Sequence, residues 1–217
     1  MTEIWKPRGA PIGYAARTGT KRNLDALRMA GWRLLISPAS GSRRTEGMGY
    51  GLDNGAWSYS MRGTEFGAEA FDSYCCELGP GADWIVVPDC PFDGPESLRM
   101  SLSWLDRLRE KWPRLLLPVQ DGMLPSDVAD LLGDQIGLFV AGSTEWKEET
   151  MCVWAALART RSCHCHVARV NTRSRLRLVN LARAHSFDGS AVSRHACKVG
   201  RLDKERRAVC LPFGDDA

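Results

Sequence analysis

No apolar run in this chain reaches the roughly 20 residues of a membrane span, and no stretch of it is repetitive or low in complexity. A membrane-spanning helix is therefore not expected, and the composition argues against disorder or a collagen-like fibre. The opening "MTEIWKPRGAPIG" lacks an apolar core of signal-peptide length. The expected location is therefore the cytoplasm (the host cell's, if a phage encodes the chain), with no membrane partner. The eight cysteines show no regular spacing. A disulfide framework is not expected, and in a reducing compartment the thiols would stay free. Charge imbalance is also small, at +3, so total charge by itself does not call for a polyanionic partner.

What remains is an ordinary globular composition of 217 residues, 44% hydrophobic and 25% charged, enough for one sizeable core. No linker divides it, so a single domain over residues 1–217 is expected. Its C-terminal third, about 159–207, is dense in arginine and poor in acids. Such a stretch is either a solvated face or a set of phosphate contacts.

The run Cys163-His164-Cys165-His166 raises a zinc reading, with His195, Cys197 and Cys210 as further donors. Zinc sites more often pair C-x₂₋₄-C with a second pair at matched spacing. On a strand, Cys163 and Cys165 would face one way and the two histidines the other. That splits the donors, and no metal or other cofactor is expected.

Two segment types alternate along the chain. Eight short apolar runs read as strands: 11–16, 32–37, 48–53, 83–89, 114–120, 136–142, 164–170 and 184–189. Helical spacing recurs over 21–30, 65–78, 95–111, 125–133, 143–158 and 173–184. In 95–111, Leu98, Leu102, Leu105 and Leu108 share one face; in 143–158, Trp146, Val153, Trp154 and Leu157 supply most of the buried side. Residues 38–47, "PASGSRRTEG", read as a loop. Strand–helix alternation predicts an α/β fold with parallel strands. Eight strands fit a compact (β/α)8 barrel, irregular near its second and third strands. An open doubly wound sheet has the same pattern.

Several predicted strands end in polar residues: Asp53, Asp89, Gln120 with Asp121, Asn171 and Asp188. Singly, each has an ordinary explanation. Asp53-Asn54-Gly55 suits a tight turn, and Asp89 or Asp188 suits a helix cap. Together they matter more, because parallel α/β folds bring all strand carboxyl ends to one side. Clustered carboxylates raise one another's pKa, so a fold rarely gathers them without use. Two acids in one pocket suit displacement at an anomeric carbon, one attacking and one moving protons. Trp57 could stack on a flat base, Gln120 could meet a base edge, and Gly142 would allow close approach to the backbone.

These segments, in this order, resemble the tRNA-guanine transglycosylase superfamily, and most of all its DNA 7-deazaguanine transglycosylases of phages and bacteria. "LDNGAW" resembles the family's D-S-G-[GA]-F segment, which implies a general base at Asp53 and an aromatic base contact at Trp57. "ADWIVVPD" is similar to the strand whose acid binds the base, here Asp89. "PVQDG" resembles the V-Q-G segment, implying Gln120 as a base contact. "GLFVAGS" resembles L-A-V-G-G-L, implying Ala141 and Gly142. "SFDGSAVSR" resembles F-D-x-x-x-P-T-R, implying Asp188 as nucleophile and Arg194 beside the nucleic-acid backbone. The chain departs at Asn54, Val192 and Ser193, where the tRNA enzymes have Ser, Pro and Thr. His195, Cys197 and Cys210 lack the spacing of the family's zinc subdomain, which is expected to be absent.

The resemblance implies a pentosyltransferase that exchanges guanine in DNA for a 7-deazaguanine (preQ0-type) base through an Asp188-glycosyl intermediate. Arg194, Arg173 and Arg175 are the expected phosphate contacts, and the chemistry calls on no metal or redox cofactor. DNA is the expected polymer and tRNA the runner-up; a helper protein or a second copy of the chain is a further candidate partner. Hydrolysis by a nucleoside or nucleotide glycosidase, and a non-catalytic purine- or nucleic-acid-binding barrel, are the rival readings.

Overall fold

The computed structural model describes residues 9–17 and 20–208. Its eight strands form a closed, all-parallel barrel in sequence order. They are β1 (Ile12–Ala16), β2 (Arg33–Ile36), β3 (Tyr50–Leu52), β4 (Ile85–Val86), β5 (Leu115–Val119), β6 (Ile136–Val140), β7 (Cys165–Val167) and β8 (Ser186–Asp188). Closure comes from β1 pairing with β8, with Ile12 opposite Ser186 and Tyr14 opposite Asp188. The open-sheet alternative is thereby eliminated. No helix joins β2 to β3; a 3-10 turn at Pro38–Ser40 and a loop fill that link, as the composition of 38–47 predicts.

Around the barrel lie α1 (Lys21–Met29), α2 (Ala56–Met61), α3 (Ala68–Leu78), α4 (Gly94–Arg109), α5 (Pro125–Val128), α6 (Thr144–Thr160), α7 (Arg173–Ala182), α8 (Ala191–Arg194) and α9 (Ala196–Arg206). Their starts follow local chemistry. Asp93 caps α4 through Glu96 N, with Pro95 in the first turn. Ser143 caps α6 through Trp146 N and Thr172 caps α7 through Arg175 N. The stretch 125–133 is less helical than its spacing predicts: α5 passes into a 3-10 turn at Ala129–Leu131. α2, α8 and α9 are not among the helices the spacing predicts; α9 buries Val199, Leu202, Glu205 and Arg206. α9 is tied to the start of the chain by Arg206, which donates to Pro11 O, Ala30 O and Asp203.

Two expected helix faces are rotated. On α4 the buried residues are Ser97, Ser101, Leu105 and Leu108, and Leu102 is exposed. On α6 they are Lys147, Met151, Trp154, Ala155 and Ala158, and Val153 is exposed. In each case polar residues occupy the inner face near the helix N-terminus. Ser101 Oγ donates to Pro88 O at 2.9 Å, and Lys147 Nζ to Ala168 O at 2.7 Å.

The barrel interior is unusually aromatic. Trp84 lies 4.9 Å from Tyr14 and 4.8 Å from His166, ring centre to ring centre, and His166 stacks on Phe139. Rings of this size need empty space opposite. Gly51 provides it, since a Cβ there would overlap the Trp84 indole. Gly51→Ala is expected to cost about 2 kcal/mol, the cost of overpacking a rigid core, read as a lower urea midpoint at unchanged m-value.

Candidate active site

The strand carboxyl ends open onto a cavity of about 600 Å³, lined by Asp53, Asp89, Gln120, Asp188, Ala141 and Trp57 among others. Three acids from β3, β4 and β8 thus meet in one place. Neither Asp89 nor Asp188 caps a helix: Asp93 holds that position for α4, and Ser190 precedes α8. Asp53 does close a turn, accepting Gly55 N at 3.2 Å, yet its carboxyl also faces the cavity. Asp121, the other strand-end acid, serves α6 instead by accepting from Ser143 N and Oγ.

Asp188 is 7% exposed and accepts two hydrogen bonds, from His166 Nε2 at 3.1 Å and from Arg169 N at 3.1 Å. Behind it, His166 Nδ1 meets Ser186 Oγ at 2.8 Å, and Ser186 Oγ meets His164 Nε2 at 2.6 Å. Burial lowers the pKa of both imidazoles, so both are neutral. An ionised Asp188 only accepts, so His166 donates from Nε2 and accepts on Nδ1 from the Ser186 hydroxyl. Ser186 Oγ then accepts from His164 Nε2. The grouping has the residue types of a Ser-His-Asp triad but runs the other way. Ser186 is wholly buried and outside the cavity lining, so it orients and the acid faces the substrate space.

Asp53 has its pKa raised to about 7 by burial, then by the negative charges of Asp188 and Asp89. Asp89 is raised to about 6 by burial, partly offset by hydrogen bonds from Asn54 and Gln120. Asn54 Nδ2 donates to Asp89 Oδ1 at 2.8 Å and to Val87 O at 2.7 Å, and its Oδ1 accepts Ala56 N. One amide thus fixes the acid and starts α2.

Gln120 is more constrained than a free base reader. Its Oε1 accepts from Gly142 N and Phe92 N, and its Nε2 donates to Asp89. Gly142 has φ +55 and lies outside the cavity lining; its N–H is spent on Gln120 and its carbonyl accepts from Arg169. Ala141 and Trp57 do line the cavity, Trp57 at 45% exposure.

Of the expected phosphate contacts, Arg194 lines the cavity. Arg173 and Arg175 do not; they pair with Glu205 and Glu148 on the outer helices. Arg17, Arg44 and Arg62 line the wall, and Arg169 crosses the mouth with its guanidinium 5.6 Å from the Trp57 ring centre and 5.4 Å from that of Phe92. His166 and Arg169 stand at and just beyond the end of β7. Two-residue alternation points His166 inward, and a position just past a strand end is the sequence signal for Arg169.

Cys165 faces the helices with Cys163, while His164 and His166 face the barrel interior. Among the described residues no group of three or more His, Cys, Asp or Glu is placed to hold a metal ion. Cys210 lies outside the described residues.

No family model and no curated protein matches the chain. Solved structures do. A tryptophan synthase chain from M. tuberculosis, in an aminoacrylate- and BRD0059-bound form, aligns with TM-score 0.53 at 16% identity, covering 93% of this chain and 94% of that one. RipC from Yersinia pestis gives 0.54 at 14%, covering 92% and 96%. The native KDPGal structure gives 0.52 at 14%, covering 94% and 97%. At such identity the likeness shows the fold alone: a TIM barrel distantly related to others, of a class that carries many enzymes. It does not single out the tRNA-guanine transglycosylase superfamily.

Proposed function

We propose that this chain is a base-exchange transglycosylase that replaces guanine in DNA with a 7-deazaguanine base. One observation carries the reading: Asp53, Asp89 and Asp188, far apart in sequence, line a single cavity at the strand carboxyl ends. The cavity also has two chemically different arcs. Past β3 to β6 come Trp57, Asp89, Gln120 and Ala141, suited to a flat, polar-edged base. Past β8, β1 and β2 come Ser190, Arg194, Arg17, Ser42 and Arg44, suited to phosphates.

In this mechanism the Asp188 carboxylate attacks C1′ of the guanine nucleotide. The C1′–N9 bond breaks, its electron pair leaves with guanine, and protonated Asp53 supplies a proton to the departing base. The entering base gives its ring N–H proton to Asp53, and its nitrogen displaces Asp188 from C1′. A group with a midpoint near 7 suits both halves. Asp89, with one hydrogen bond on each oxygen, has lone pairs left for two adjacent N–H donors of a guanine-like edge.

Purified protein, with labelled base and either DNA or tRNA, tests the reading through nucleoside mass spectrometry. Label in DNA is expected. Label in tRNA would move the enzyme to that polymer, free base without incorporation would make it a glycosidase, and release or exchange on neither would end the proposal. A further expectation concerns the arginine wall. Arg194→Ala should weaken DNA binding equally across sequences and reduce the salt slope by about 1. Free-base affinity should not change; fluorescence anisotropy over a salt series reads both.

A further inference from the structure

Lys147 on α6 is 4% exposed, and its ammonium makes one hydrogen bond among the described residues, to Ala168 O at 2.7 Å. An ammonium has three donors, and burying it on one neutral partner is costly. A methionine would fill this space without that cost, so packing does not account for the lysine. Nor is it an attacking amine: Lys147 is absent from the cavity wall, and Ala168 stands between. The charges that act on it are Arg169 and Arg175, which disfavour its proton, and Asp188 and Asp121, which favour it; burial outweighs both and lowers its pKa to about 7.

The Ala168 carbonyl belongs to the same planar peptide as the Arg169 N–H, and that N–H donates to Asp188 Oδ1. Arg169 has φ +59, a conformation that a non-glycine residue keeps only where its surroundings enforce it. The backbone on either side is held by the neighbouring strands, Ala168 N on Val140 O at 3.0 Å and Val170 N on Asp188 O at 2.6 Å. The peptide between them bonds side chains instead: its carbonyl takes Lys147 and its N–H takes Asp188.

We propose that Lys147 is a positioning residue for Asp188, fixing the Ala168–Arg169 peptide so that its N–H stays on the Asp188 carboxylate. A hydrogen bond received by the carbonyl also draws electron density from the N–H of the same peptide and strengthens it as a donor. The role of Asp188 rests on the base-exchange reading; the contact itself does not.

Lys147→Met tests this by NMR of the Arg169 amide together with exchange kinetics. The amide proton is expected to move upfield and to exchange with solvent about tenfold faster or more, with β5 amides unchanged. In the exchange assay kcat should fall about tenfold or more, with KM for the base within about twofold. An unchanged Arg169 amide overturns the proposal, as does an altered amide with unaltered kcat. If the methionine variant does not fold, Lys147→Gln, uncharged and shorter, is read the same way: a faster-exchanging, upfield Arg169 amide supports the proposal, and an unchanged one overturns it. Absence of exchange activity in wild type would remove the base-exchange reading, and the amide would still report on Lys147.

Discussion

Asp188→Asn is expected to abolish base exchange while the barrel stays folded and the base still binds. The amide is isosteric with the carboxylate but carries no charge to attack C1′. Loss of an attacking group costs a factor of about 10⁴ or more in kcat. Structure should survive because the surrounding network can invert. The Asn Oδ1 still accepts from Arg169 N, and its NH₂ would face His166 Nε2. His166 then moves its proton to Nδ1, the Ser186 hydroxyl turns to donate to His164 Nε2, and His164 shifts its own proton to Nδ1. Each member keeps a partner, so melting temperature should change little. The decisive measurement is the intact mass of the protein–DNA adduct trapped under denaturing conditions. Wild type should give it and Asp188→Asn should not. An adduct persisting in the variant would place the attacking atom elsewhere, with Asp53 the next acid in the cavity.

The acids could be found in the sequence because of a topological rule. Asp53, Asp89 and Asp188 close or succeed apolar runs, and parallel strands gather the residues at their carboxyl ends on one side. Barrel closure could not be found that way. It depends on Ile12 meeting Ser186 from opposite ends of the chain, and periodicity within a strand does not encode its neighbour. The rotated faces of α4 and α6 have a related cause. Pattern reading sends Ser97, Ser101 and Lys147 to solvent because they are polar. Helix N-termini in this fold lie at the site end, where buried polar groups hold strand-end carbonyls such as Pro88 O and Ala168 O. Arg173 and Arg175 stand outside the cavity lining for the opposite reason. Charge density marks a region, while the direction of each side chain depends on the acid it meets, Glu205 on α9 and Glu148 on α6.

Asp53→Asn is expected to stabilise the protein above neutral pH and to have almost no effect on stability near pH 4. The folded carboxyl titrates at about 7, against an ordinary value of 3.8. Between these values the unfolded chain has lost the proton and the folded chain still holds it. Asp53 therefore contributes its full share below about 3.8, loses it as pH rises, and is at its least favourable above 7. Asparagine titrates nowhere in this window and can still accept from Gly55 N. The gain from the substitution should grow through the window and level off at about 2 kcal/mol. Access of cavity water to part of the carboxyl holds the figure below what the full shift implies. Asp89, raised to about 6, acts in the same sense in both proteins and cancels in the difference except for its charge coupling to Asp53, which the substitution removes. Urea unfolding of the two proteins at pH 4.5, 6 and 8 measures this; a gain independent of pH, or a loss at pH 8, would show that Asp53 holds no proton on folding. Exchange should meanwhile fall by about 10² to 10⁴, the range for loss of a proton-transfer group. Opposite signs for stability and activity are what a proton shuttle requires. A carboxyl placed where its charge is disfavoured keeps both forms populated near neutrality, which under the proposed base exchange lets the same group protonate guanine and then deprotonate the base that replaces it.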